Sequence, residues 1–120
     1  MEARNKMIKL TPLEMIAVNT STQESFVQLM RIYESGRWVW NSGALPTEEM
    51  NRWGTYGKNY CVTAGTAFAG PNGEFTQSPK RFYLNEGYQV ISPDEFYTRQ
   101  GITSEMLSEI NRDFESRGSN

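Results

Sequence analysis

Arginine stands beside an aromatic ring at four places in this chain: Arg37 before Trp38, Arg52 before Trp53, Arg81 before Phe82-Tyr83, and Arg99 two residues after Tyr97. A guanidinium gives bidentate hydrogen bonds to phosphate or carboxylate, and an aromatic face stacks on a flat base. Together these are the side chains that hold a nucleotide. Adjacent residues on a strand point to opposite faces, so a neighbouring pair meets one ligand only where the fold turns both toward it. On these grounds the candidate ligand-binding residues are Arg31, Arg37, Trp53, Tyr83, Tyr97 and Arg99. Arg31 lies off the apolar stripe of the first helix and faces either the strands or water. All three tryptophans fall within sixteen positions, and Trp38 and Trp40 share one face of any strand that carries them. They serve either as core anchors or as a platform for a flat ligand.

Catalytic chemistry has less to work with. Histidine is absent, which removes the commonest general base, the usual metal ligand and every Ser-His or Cys-His arrangement. Glu48-Glu49 and Asp94-Glu95 read as first-turn helix acids, and no P-loop, GxGxxG or CxxC is present. Cys61, the single cysteine, reads as a small core hydrophobe in a reducing compartment. No catalytic residue, metal or cofactor is expected. A net charge of −2 opposes general binding to nucleic-acid backbones. The C-terminal end is acidic, with six acids from Asp94 to Glu115 against Arg99 and Arg112.

The elements that must position these residues belong to one domain over residues 1–120. Hydrophobic content of 38% and charged content of 22% fit a folded chain without a membrane span or signal peptide. Residues 1–10 read as a flexible leader and 14–19 as a first strand. Ser21 and Glu24 make a capping box for a helix over about 22–35, with Phe26, Leu29, Met30 and Tyr33 as its stripe. Gly36 is expected to end it in left-handed geometry. Strands follow at 37–41 and 60–64, and at Arg81–Leu84 and Tyr88–Ile91. Thr47 is placed to cap one helical turn after Pro46. A long connection from Ala67 to Lys80 carries Phe68 and Phe75 around a turn at 70–73. Ser92-Pro93-Asp94-Glu95 starts a short helix that ends by Gly101. Thr103 caps the last helix, 103–116, whose stripe is Met106, Leu107, Ile110 and Phe114. The expected fold is α+β: a small antiparallel sheet of three to five strands, covered on one side by a central helix, with two C-terminal helices. The terminal helix either folds back on its own domain or crosses to a second copy in a homo-oligomer.

The run Gly36-Arg37-Trp38-Val39-Trp40-Asn41-Ser42-Gly43, with Pro46, Trp53-Gly54-Thr55-Tyr56 and Tyr60-Cys61-Val62, resembles a group of small bacteriophage accessory proteins. The stretch from Tyr83 to Phe96 has the same character, so the resemblance covers roughly residues 20–97. Within that group the chain looks most like the anti-Thoeris sponge family. The resemblance implies a non-catalytic counter-defence protein of the host cytoplasm. Such a protein sequesters a cyclic nucleotide or cyclic ADP-ribose-type immune signal where two copies meet. It carries over no binding residue; the six candidates rest on side-chain chemistry. The alternative is an anti-CRISPR-like or host-polymerase-modulating inhibitor that presents the acidic last helix to a host defence protein.

Overall fold

The computed structural model describes residues 8–40, 42–49, 52–64 and 74–118. Residues 1–7, the first half of the 67–80 connection with Phe68 and the 70–73 turn, and Asn41 lie outside them. The architecture is α+β, as expected. Strands β1 (Ile16–Asn19), β3 (Tyr60–Thr63), β5 (Gln77–Pro79) and β6 (Gln89–Ile91) form one sheet in the order β5-β3-β1-β6. Helix α1 (Gln23–Ser35) follows β1, and the pair β2 (Val39–Trp40) and β4 (Glu74–Phe75) makes a separate two-stranded ribbon. Helices α2 (Lys80–Asn85), α3 (Pro93–Gln100) and α4 (Ser104–Gly118) complete the chain.

The sheet is mixed where a wholly antiparallel one was expected. β1 runs antiparallel to β3, pairing Val18 with Val62, but parallel to β6, pairing Ala17 with Val90. Helix α2, between β5 and β6, returns the chain to the free edge of β1 in its own direction. Both faces are covered, which the one-sided expectation missed. Ile16, Val18, Tyr60, Val62 and Ile91 face the main core with α1, while Ala17 and Cys61 face Tyr83 of α2.

The segment Arg81–Leu84 is helix, not strand. Its run of apolar residues mimics a strand, but only Tyr83 is buried, at 1% exposure, against 47% for Phe82 and 53% for Leu84. The helix ends with Tyr88 N–H donating to Tyr83 C=O at 2.9 Å and Gly87 N–H to Leu84 C=O at 3.3 Å, the paired closure of a Schellman motif. Gly87 takes the left-handed position, at φ 85°.

The same motif closes α1 with a different residue in the strained place. Trp38 N–H reaches Tyr33 C=O at 2.9 Å and Arg37 N–H reaches Glu34 C=O at 3.0 Å. Arg37 is the left-handed residue, at φ 66°, whereas Gly36 has φ −93°. Glycine at position 36 answers a steric need, since Leu10 lies against it. Residues 8–10 are thus not a loose leader: Leu10 is buried, and Ile8 N–H donates to Ser35 C=O at 3.3 Å. At the other end of α1 the capping box is Thr22 with Ser25, one residue later than expected. Ser25 N–H donates to Thr22 Oγ1 at 3.0 Å and Thr22 N–H to Ser25 Oγ at 3.2 Å.

The tryptophan question resolves toward the core. Trp38 is 2% and Trp40 0% exposed. They join Tyr33, Phe75 and Phe96 in one aromatic cluster, with ring centroids 4.8 Å apart for Tyr33–Trp38 and 4.3 Å for Trp40–Phe75. Close aromatic pairs of this kind give a small domain much of its buried area. The stripe of α4 packs on this same core within one chain, with Ile110 buried and Met106, Leu107 and Phe114 half-buried.

Candidate functional site

The structure does not gather the six candidate residues around one space. Tyr83 is sealed under α2 on the outer face of the sheet, its hydroxyl 3.3 Å from Thr76 C=O; burial raises its pKa. Tyr97 belongs to the main core on the other face, at 5% exposure, and burial and nearby Asp94 raise its pKa. Its hydroxyl is buried without a hydrogen-bond partner. Neither ring offers a face to a base, so both are packing residues here. Trp53 is half-buried in the 3₁₀ turn Arg52–Thr55, and its indole N–H donates to Thr20 C=O at 2.8 Å. That bond ties the turn to the end of β1.

The three arginines are dispersed. Arg37 is exposed beyond the C-terminus of α1. Arg99 is exposed on α3, where Nε donates to Glu95 Oε2 at 3.1 Å across one helical turn. Its charge is already matched by a local acid. Arg31 is the most enclosed of the three, lying between α1 and α4 with Nη1 3.0 Å from Asn111 Oδ1 and its guanidinium 5.7 Å from the Phe114 ring centre. Thr47 does not cap its turn either: its N–H and hydroxyl both donate to Glu34 Oε1, at 3.0 and 2.6 Å.

A different set of cations does converge. The start of α2 and the end of β5 form an open groove of about 340 Å³ lined by Asn59, Pro79, Lys80, Arg81, Leu84 and Asn85. Lys58 precedes Asn59 in the 3₁₀ turn Gly57–Asn59, and Asn19 Nδ2 anchors that turn by donating to Lys58 C=O at 3.1 Å. Among the described residues, no acidic side chain forms an ion pair with Lys58, Lys80 or Arg81. Phe82, 47% exposed, stands next to Arg81 on the helix. The groove therefore combines positive charge, two side-chain amides and exposed apolar surface. Sequence reading marked the Arg81–Phe82 neighbourhood but passed over Lys58, Asn59, Lys80 and Asn85. The signal for them was the Lys80-Arg81 pair following Pro79, legible only once α2 is known to be a helix.

Nothing in these surroundings activates a nucleophile. Burial pushes the Cys61 thiol up to about 11, outweighing the opposing influence of Asn19 and Lys80. A thiol that stays protonated at neutral pH is a poor nucleophile. Among the described residues, no group of three Cys, Asp or Glu side chains is placed to hold a metal ion, and no helix is long and apolar enough to cross a membrane. Comparison with protein-family models, curated proteins and solved structures finds no match to this chain.

Proposed function

We propose that this chain is a non-catalytic phage counter-defence protein of the host cytoplasm that sequesters a phosphate-bearing cyclic nucleotide or cyclic ADP-ribose-type signal. The groove beside α2 is its phosphate site. The observation that carries this reading is the placement of Lys80 and Arg81 together on the groove lining, with no acidic ion-pair partner among the described residues and with the exposed Phe82 next to Arg81 on the helix. Lysine and arginine supply charge-assisted hydrogen bonds to phosphate oxygens, and an exposed aromatic supplies a stacking face. The groove is open on its outer side, and in this reading a second copy closes over the bound signal.

The test incubates the pure protein with cyclic ADP-ribose isomers and cyclic di- and trinucleotides, washes it, denatures it by heat and analyses the released material by mass spectrometry. An intact cyclic nucleotide is the expected product; an altered one would make the protein an enzyme. Lys80→Glu or Arg81→Glu should each lower retention by about tenfold, the effect of losing one charge-assisted hydrogen bond. Retention unchanged in both variants would remove the groove from the proposal. The alternative of a protein–protein inhibitor draws support from α3 and α4, which expose Asp94, Glu95, Glu105 and Glu115. It is favoured if no nucleotide is retained and the chain binds a basic host protein with strong salt dependence.

A further inference from the structure

The segment before β1 is held largely by its own main chain. Ile8 N–H donates to Ser35 C=O at 3.3 Å, and Leu13 N–H to Ala64 C=O at 2.9 Å. Thr11 N–H and C=O both pair with the Gln100 side-chain amide, at 2.8 Å each. Thr11 precedes a proline, which favours extended backbone, and Pro12 has no N–H of its own to satisfy. The side chains alternate accordingly. Ile8, Leu10 and Leu13 pack on the core, while Lys9, Thr11 and Pro12 are exposed. Leu10 alone is fully buried, in a niche over Gly36 that a side chain at position 36 would fill.

A domain holds a bound peptide in the same way: main-chain bonds accept an extended sequence, and a pocket selects the anchor side chain. Here Ser35 C=O, Ala64 C=O and the Gln100 amide bond only main-chain atoms of the strap. The niche over Gly36 is what selects a side chain, and it selects leucine. The strap is tethered to the body through a turn at Glu14–Met15, after which β1 begins at Ile16. Met15 stands at φ 59° in that turn, a left-handed conformation costly for a residue with a Cβ. Release of the strap relieves it. The ladders of β1 with β3 and β6 start beyond the turn and do not use the strap.

We propose that residues 8–13 are a self-ligand in a peptide site, and that the emptied site takes an extended segment of a partner protein with leucine at the anchor. The segment already seated there defines the chemistry: an apolar anchor with extended backbone on either side. The groups that hold it are two carbonyls and one amide, so the site asks for no charge. In the intact chain the strap competes from a short tether, at an effective concentration on the order of millimolar. A partner segment therefore binds only when it outcompetes the strap or meets it released. This site is independent of the nucleotide reading of the groove beside α2.

The test titrates a fluorescent peptide with the sequence of residues 8–14 against the full chain and against its Leu10→Asp variant, read by polarisation. Leu10→Asp sets a charge against the niche and should free the strap, with circular dichroism reporting that the rest of the fold persists. That variant should bind the peptide saturably with a Kd below about 1 mM, and the unaltered chain at least about tenfold more weakly. A peptide that itself carries Leu10→Asp should bind neither. Leu10→Ala, which empties the niche without a charge, serves if Leu10→Asp does not fold. No saturable binding to the folded variant would overturn the proposal. Equal binding to the unaltered chain would overturn it too, by placing the peptide elsewhere. So would loss of fold in both variants, which would make the strap part of the core and not a ligand. Each of these results leaves the nucleotide reading intact.

Discussion

A Cβ placed on Gly36 would stand 2.4 Å from Leu10 Cδ1 and 2.5 Å from Leu10 Cγ, closer than carbon atoms pack. Gly36→Ala should therefore force Leu10 out of its place and cost about 1–3 kcal/mol, the usual range for overpacking. Combining it with Leu10→Ala should give a loss smaller than the two single losses added, measured by thermal melts, because the second change removes the clash. Strict additivity would refute the contact. One residue on, the strain is conformational. Gly87 and Gly101 hold the left-handed positions after α2 and α3, but α1 gives that position to Arg37 at φ 66°. A side chain in this region costs about 1–2 kcal/mol, so Arg37→Gly should stabilise the fold by up to about 1 kcal/mol once the looser unfolded chain is counted. Lower stability in a denaturant titration would mean that contacts of the Arg37 side chain outweigh its backbone strain.

At the scale of elements, legibility in the sequence followed the strength of local signals. Helix α3 was readable from Ser92, Pro93 and Gly101, because each end carries its own stop or start chemistry: Ser92 Oγ accepts from Glu95 N–H at 3.1 Å and Gly101 is left-handed. Helix α2 was not, because six residues hold too few turns for a helical period, and the apolar run Phe82–Leu84 fits a strand equally well. The candidate site was lost with it, since Lys80, Arg81 and Asn85 share a groove only on a helix. Burial was equally hidden for Tyr83 and Tyr97: composition shows a tyrosine, and tertiary packing decides whether it faces ligand or core. The last helix was readable as an element but not in its destination. Ile110 now places its stripe inside the same chain, so Ile110→Ala should cost about 2–5 kcal/mol. The melting temperature of that variant should not depend on protein concentration. A concentration-dependent transition would point instead to exchange of α4 between copies.

At the scale of the whole molecule, burial favours the neutral forms of one thiol and three tyrosines. The Cys61 thiol sits at about 11 instead of 9.0, and burial raises Tyr33, Tyr83 and Tyr97 above 10.0. Unfolded, these groups lose protons first, so above pH 9 the unfolded chain binds fewer protons than the native one. Stability contributed by these neutral groups is complete below pH 9 and declines as pH rises through 11. Urea titrations from pH 7 to about 11 should show that decline, with iodoacetamide reaching Cys61 only in the unfolded fraction. A flat profile would contradict the burial of these side chains. The segment before β1 is also joined to the end of α3: Thr11 N–H donates to Gln100 Oε1, and Gln100 Nε2 to Thr11 C=O, both at 2.8 Å. One side-chain amide thus acts as a strand partner for a segment near the N-terminus.

The position of β1 between β3 and β6 has a consequence for synthesis at the ribosome. Its antiparallel partner emerges by Thr63, but its parallel partner is absent until Gln89–Ile91 has been made. During that interval Ile16–Val18 presents an unsatisfied edge whose side chains are destined for burial on both faces. Such an edge recruits any strand that meets it, including the same edge of a neighbouring nascent chain. A product terminated before Gln89 keeps that edge permanently, and so should aggregate more readily than the full chain. The completed chain is protected by the three residues of β6 that cover it.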